Sequence, residues 1–164
     1  YCVCAALDAA TGQHRAVTGS GDSSVKVWDI ATGERLRTLV GHASPVLGMT
    51  VCPEATTGES RLLTGSSDKT VRVWDFATGE CLRTLEGHSA SLSGVAGFSD
   101  LRAGEWRGVS ASDDKTAKVW SLGLPSLTLN GVLVTAWSVA RKARRAGTAE
   151  SHATESWQLS AVQR

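Results

Sequence analysis

Hydroxyl, imidazole and carboxylate side chains recur at a fixed spacing in this chain, and such a trio could build a nucleophilic triad. His42 is followed by Thr64 and Ser66 and then by Asp68; His88 is followed by Ser110 and Ser112 and then by Asp114. A hydrolase needs such a set once, with its hydroxyl on an exposed, strained elbow, and no GxSxG-type motif is present. Here the set occurs twice, 46 residues apart, and each copy leads to a tryptophan six residues beyond the Asp, Trp74 and Trp120. Duplication at that spacing is what scaffolding produces, so no catalytic residue is assigned. The cysteines, Cys2, Cys4, Cys52 and Cys81, contain no CxxC, and the only regularly spaced histidines are His42 and His88. Neither a metal site nor a cofactor is expected. Reduced thiols on or beside strands, in the cytoplasm or the nucleus, are the simpler reading.

The segments that must position these groups repeat with them. Trp28, Trp74 and Trp120 lie 46 residues apart, twice in succession. From Gly19 to His42, 17 of 24 residues match their partners from Gly65 to His88. Residues 109–120 match again, and the likeness stops at about Leu122. A fixed period in the 20–50 range signals stacked or radial units. In the middle unit, 46–51, 61–66, 70–75 and 81–85 read as four strands. Pro53 is expected to stop the first, and 54–60 to form a polar loop. Asp68, with its short acceptor side chain, suits the tight turn at 67–69, and ATGE at 77–80 makes another. Within 70–75, Val71 and Val73 alternate with Thr70, Arg72 and Trp74, the period of two that marks a strand. No helical stripe survives more than one turn in the repeats.

Residues 123–164 leave the pattern. Leu133, Ala136, Trp137 and Ala140 share one helical face, and Arg141, Lys142, Arg144 and Arg145 suit a helix C-terminus before Gly147. A helix over 132–146 is predicted, with a poorly ordered polar end from 148 onward in which Trp157 is either an anchor or unpacked.

With 164 residues, 41% of them hydrophobic, the chain can bury a core, and its formal charge of +1 makes no general demand for nucleic acid or an acidic membrane. Residues 1–122 hold 12 Lys/Arg against 14 Asp/Glu, whereas 123–164 hold five against two. No apolar run reaches the ~18 residues of a membrane-spanning helix. The sequence opens on Tyr1, where a strand should already be under way, and so reads as a piece of a longer protein.

Gly41-His42 and Gly87-His88 each end a unit, strand hydroxyls and a turn Asp follow, and Trp28-Asp29 and Trp74-Asp75 sit mid-unit. Over roughly residues 3–122 this resembles the WD-repeat family. The resemblance implies an all-β fold: a partial β-propeller of about three four-stranded antiparallel blades, with units at about 1–40, 41–86 and 87–122. Residues 123–164 would be a non-repeat extension. It also implies a buried hydrogen-bond chain in each blade. One chain joins Trp74, either Thr64 or Ser66, His42 and Asp68; the second joins Trp120, either Ser110 or Ser112, His88 and Asp114. The first unit keeps Thr18 or Ser20, Asp22 and Trp28, but its His would precede Tyr1. Three repeats do not close a propeller, which needs typically 4–8 blades. Further blades upstream are the preferred source of the rest, ahead of a partner or second copy.

Function follows the same resemblance: a non-catalytic scaffold for protein–protein interactions, recruiting partners or substrates within a larger complex. Proteins or peptides would bind where the Gly-His loops meet the Asp turns. Ala43, Ser44, Ser89 and Ala90 follow the histidines; Ser67, Lys69, Asp113 and Lys115 flank the aspartates. The competing reading is RNA or ribonucleoprotein binding through the basic run at 140–145, which would weaken steeply with salt. No membrane partner is expected, and an enzyme is disfavoured for lack of a nucleophile–base pair outside the repeated sets.

Overall fold

The computed structural model describes residues 1–8, 11–53, 60–100, 105–123, 126–129 and 132–135. β-Branched and apolar residues alternate with polar ones through the repeats, and each regular element among the described residues is a strand. β1 (Cys2–Asp8), β2 (Gln13–Gly19), β3 (Val25–Asp29) and β4 (Arg35–Leu39) pair antiparallel in chain order as sheet 1. β5 (Val46–Pro53), β6 (Ser60–Ser66), β7 (Val71–Asp75) and β8 (Cys81–Leu85) repeat that plan as sheet 2. Sheet 3 has three strands, β9 (Leu92–Asp100), β10 (Glu105–Ser112) and β11 (Ala117–Gly123). β12 (Ser126–Leu129) and β13 (Val132–Thr135) form a separate two-stranded sheet.

Two local expectations are corrected. The helix over 132–146 is not formed where the structure describes it: Val132–Thr135 is strand, paired from Leu129↔Val132 to Ser126↔Thr135. Two valines and a threonine in four residues are stiff at χ1 and suit a pleated surface better than a helix. Trp137, Trp157, the basic run at 140–145 and the tail from 148 lie outside the described residues. β5 ends at Pro53, opposite Ser60, where the sequence expected the proline to stop it.

The second correction concerns sheet 3, in which no fourth strand is paired among the described residues. In sheet 1 the Asp29 carboxylate accepts the Ala31 and Thr32 amides at 2.8 and 3.0 Å, and Gly33, at φ +74°, donates back to the Asp29 carbonyl. Asp75 and Gly79 (φ +81°) make the same turn before β8. These φ values favour glycine, which has no Cβ to strain. Ser121 stands where the third aspartate would be, and its hydroxyl donates to Glu105 instead. Without that anchor, β12 pairs with β13 and not with β11.

The sheets stack through neighbouring first strands, β1 beside β5 and β5 beside β9. At Gly48 the approach is so close that a Cβ would lie 2.9 Å from the Gly94 Cα, so only glycine fits. Two apolar seams result. Between sheets 1 and 2, Val17, Val25, Val27 and Leu39 pack against Val46, Leu62, Trp74 and Phe76. Between sheets 2 and 3, Cys52 and Leu63 pack against Trp106, Val95 and Leu122. Sheet 2 therefore has both faces covered. Trp74, which alternates with Val71 and Val73 along its strand, is 2% exposed in the larger seam.

Candidate functional site

Each hydrogen-bonded set forms where a loop arriving from one sheet meets the next. In sheet 2 the Trp74 indole N–H donates to Thr64 Oγ1 at 2.8 Å. Thr64 Oγ1 lies 2.8 Å from His42 Nε2, and His42 Nδ1 lies 2.8 Å from Asp68 Oδ2. One direction of donation satisfies every member: indole to hydroxyl, hydroxyl to Nε2, and Nδ1–H to carboxylate. That assignment makes His42 the neutral Nδ1–H tautomer. Burial pushes its imidazole below the ordinary pKa, against the opposing pull of Asp68. Burial also works against the Asp68 carboxylate, but hydrogen bonds from Thr70, His42 and the Ala43 amide outweigh it and hold the group at about 2.

Sheet 3 repeats the geometry. Trp120 donates to Ser110 Oγ at 2.8 Å, Ser110 Oγ lies 2.8 Å from His88 Nε2, and His88 Nδ1 lies 2.7 Å from Asp114 Oδ2. Hydrogen bonds from Thr116, opposed by burial and aided by His88 and the Ser89 amide, keep Asp114 well below the usual carboxylate range. In both sheets the indole edge approaches the imidazole, at 6.3 and 6.1 Å between ring centroids.

The hydroxyl left open by sequence is thus assigned. Thr64 and Ser110 join the chains, while Ser66 and Ser112 cap the Asp turns. Ser66 Oγ accepts the Asp68 amide at 3.0 Å and donates to the Ser44 carbonyl at 2.8 Å. Ser112 Oγ accepts the Asp114 amide at 3.1 Å and donates to the Ala90 and Ser91 carbonyls. In sheet 1, Trp28 donates to Thr18 at 2.9 Å, and Ser20 takes the capping role at the Asp22 amide. Asp22 Oδ1 accepts from Ser24, and Lys26 takes Oδ2, the oxygen that an imidazole takes in the other two sheets. The Ser24 and Lys26 contacts hold the Asp22 carboxyl far below its ordinary range.

This arrangement suits support better than chemistry. Thr64 is 0% and Ser110 1% exposed, and each hydroxyl already accepts an indole proton, so neither can present its oxygen to a substrate. Among the described residues no group of three His, Cys, Asp or Glu is placed to hold a metal ion, and no helix is long and apolar enough to cross a membrane.

Of the proposed partner-binding positions, Ala43, Lys69, Ser89, Asp113 and Lys115 are exposed, and Ser44, Ser67 and Ala90 are half-buried. The structure brings them to one end of the stack. The Ser67 amide donates to the Pro45 carbonyl, the Asp113 amide to the Ser91 carbonyl, and Ser91 Oγ reaches Ser67 Oγ of the adjacent sheet at 3.2 Å. Lys69 and Lys115 hold φ of +70° and +66° at the same turn position, where Ser23 has +68°. Their amides close tight turns onto the Ser66 and Ser112 carbonyls.

One set of residues escaped the sequence reading. Arg15 and Arg61 reach under the outer turns to Asp29 and Asp75, the second pair at 2.9 Å, and Arg107 holds the same repeat position. With Ser121 in place of an aspartate, Arg107 pairs with Asp100 and Glu105 instead. The recurrence of arginine at the 46-residue period was the available signal.

Comparison with known proteins agrees with this geometry. The family model for "WD domain, G-beta repeat" matches residues 1–29, 33–75 and 79–121. Mitochondrial division protein 1 of Malassezia globosa is 52% identical over 29 residues, 18% of this chain and 4% of that protein. The solved structure titled "Structure of U3-55K" superposes with a TM-score of 0.58 at 25% identity, covering 73% of this chain and 33% of that one. The chain thus spans a small part of the curated relative and a third of the solved one. Three matched repeats over most of the chain, with their interlocked Trp, hydroxyl, His and Asp side chains, show that it belongs to the WD40-repeat family, whose repeats generally serve as scaffolds for protein interaction.

Proposed function

We propose that this chain is a non-catalytic docking scaffold of the cytoplasm or nucleus, recruiting a protein or peptide partner to the end formed by its Gly-His loops and Asp turns. The observation that carries this reading is the use of the Asp carboxylates. Asp68 Oδ2 accepts both His42 and the Ala43 amide at 3.0 Å, and Asp114 Oδ2 accepts both His88 and the Ser89 amide at 3.0 Å. Each carboxylate thereby ties the loop before one strand to the turn after the next. The exposed residues between them are held in place before a partner arrives, which lowers the entropy lost on docking. Free thiols at all four cysteines, with Cys52 pushed up to about 12 by burial, suit a reducing compartment.

Lys69→Glu combined with Lys115→Glu tests the assignment, read by cross-linking to bound proteins in cell extract. The proteins captured by the wild-type chain should be lost in this variant and retained when Glu34 and Glu80, at the opposite turns, are changed to Lys. Equal loss in both variants would place the docking surface elsewhere.

A further inference from the structure

Lys26 and Arg72 hold the same repeat position but end differently. In sheet 1, Lys26 reaches Asp22 Oδ2 at 2.9 Å. In sheet 2 the corresponding oxygen, Asp68 Oδ2, already accepts His42 and the Ala43 amide, and Oδ1 accepts Thr70. Arg72 is thus shut out of the carboxylate that its position would reach. Its Nη1 is left with the Cys81 thiol at 3.6 Å, a weak acceptor, and its Nε is buried without a partner. Among the described residues no carboxylate pairs with Arg72, whereas Arg15, Arg61 and Arg107 each hold one. A half-buried guanidinium left unpaired is costly, and an anion would offset that cost.

The outer margin of the seam between sheets 1 and 2 can seat one. Arg72 shares a strand face with Trp74, which packs towards sheet 1, and lies opposite the exposed Thr84 in register. From sheet 1, the Arg37 Cδ comes within 3.4 Å of where a Gly79 Cβ would be. At Gly41 a Cβ would lie 2.8 Å from Arg72 Nη1, so glycine leaves the guanidinium uncovered. Ala43 of the docking end is two residues further on.

We propose that this margin seats the carboxylate of a Glu or Asp side chain on a docked acidic peptide, held by Arg72 with Arg37 beside it. The proposal rests on the docking end assigned above and names the chemistry of its partner. The planar fork of arginine meets the two oxygens of a carboxylate in parallel hydrogen bonds. The single charge of a carboxylate matches one half-buried guanidinium, whereas a phosphate dianion would cost more to take out of water. Occupancy has a second consequence. Burial lowers the His42 pKa against the pull of Asp68, and the charge of Arg72 lowers it further. A carboxylate on Arg72 relieves that last effect.

Nuclear magnetic resonance titration of the 164-residue chain with an acetylated hexapeptide of alternating leucine and glutamate tests this, with circular dichroism reporting the fold. The Arg72 Nε–H signal should shift to saturation and the His42 pKa should rise; the same peptide with glutamine for glutamate should do neither. Arg72→Gln should weaken binding about tenfold and Arg37→Gln by less. Arg83→Gln, whose guanidinium donates to the Ser121 carbonyl at the next seam, should leave it unchanged. If Arg72→Gln fails to fold, Arg37→Gln carries the test. Equal binding of the glutamine peptide, unchanged affinity in every folded Arg72 and Arg37 variant, or inorganic phosphate binding as tightly as the peptide would each overturn the carboxylate seat. Lys69→Glu combined with Lys115→Glu should keep the peptide and lose the captured proteins. Proteins that stay captured in that variant but are lost with Arg72→Gln would overturn the docking end and leave the seat standing.

Discussion

Val73 and Val119 hold the same position in sheets 2 and 3, yet the first is 2% exposed and the second 63%. Each pairs with the preceding strand in the same register, Leu63↔Val73 and Val109↔Val119, and the hydrogen-bonded set beside each is complete. What differs is the surroundings: sheet 3 covers Val73 and β8 flanks its strand, whereas no described sheet covers Val119 and no described strand pairs on the far side of β11. Local sequence thus builds the sheet and its lock, while stacking supplies the apolar burial that stabilises it. Ile30 and Phe76 make the same point at the outer turn. Phe76 is 4% exposed in the seam and Ile30 is 52% exposed.

The largest test of this contrast is removal of the tryptophans. Trp74→Ala opens a cavity between two sheets and should cost about 3–5 kcal/mol. Trp120→Ala, at a half-buried site, should cost clearly less by the same denaturant titration. Equal losses would mean that stacking adds little. Next, Asp68→Ala strands His42, the Ala43 amide and Thr70 and should lower stability by about 1–3 kcal/mol. Asp22→Ala should be milder in the same assay, because among the described residues Asp22 holds Ser24 and Lys26 and no histidine.

Acid should act on the lock in two stages. The His42 pKa is lowered in the folded state, so the unfolded chain binds its proton first. Stability should therefore fall as pH drops below about 6.5. A second loss should follow as pH falls from about 3.9, the unfolded aspartate value, towards the folded Asp68 value of about 2. Replacement of His42 by Gln should flatten the first stage of a pH–melting profile. The smallest effect belongs to Ser121→Asp, which returns to Arg107 the partner that Arg61 has in Asp75. Because Arg107 is partly solvated, the gain should stay under about 1 kcal/mol in thermal melts.

The repeat, the strand plan and the lock's residue types were legible because each recurs at one spacing. The choice between Thr64 and Ser66 was not. Residues two apart share a strand face, and only the depth of the seam places Thr64 under the indole while Ser66, at the strand's end, reaches the turn. The helix drawn over 132–146 was wrong at its described start, 132–135, for a related reason. Leu133 and Ala136 fit a helical stripe, but the pairing of 132–135 with Ser126–Leu129 is a contact that periodicity does not encode. The Arg15–Asp29 and Arg61–Asp75 pairs were written in the same period as the tryptophans. They were passed over because surface arginines are common and their partners lie 14 residues away.

The central claim is that indole, hydroxyl, imidazole and carboxylate act together to lock a sheet. Native-state hydrogen exchange of the indole N–H groups tests it most directly. The Trp74 proton, buried against Thr64, should exchange only through global unfolding, and the Trp28 proton, bonded to Thr18 with no histidine behind it among the described residues, far sooner. Exchange of both protons at the same rate would contradict the lock.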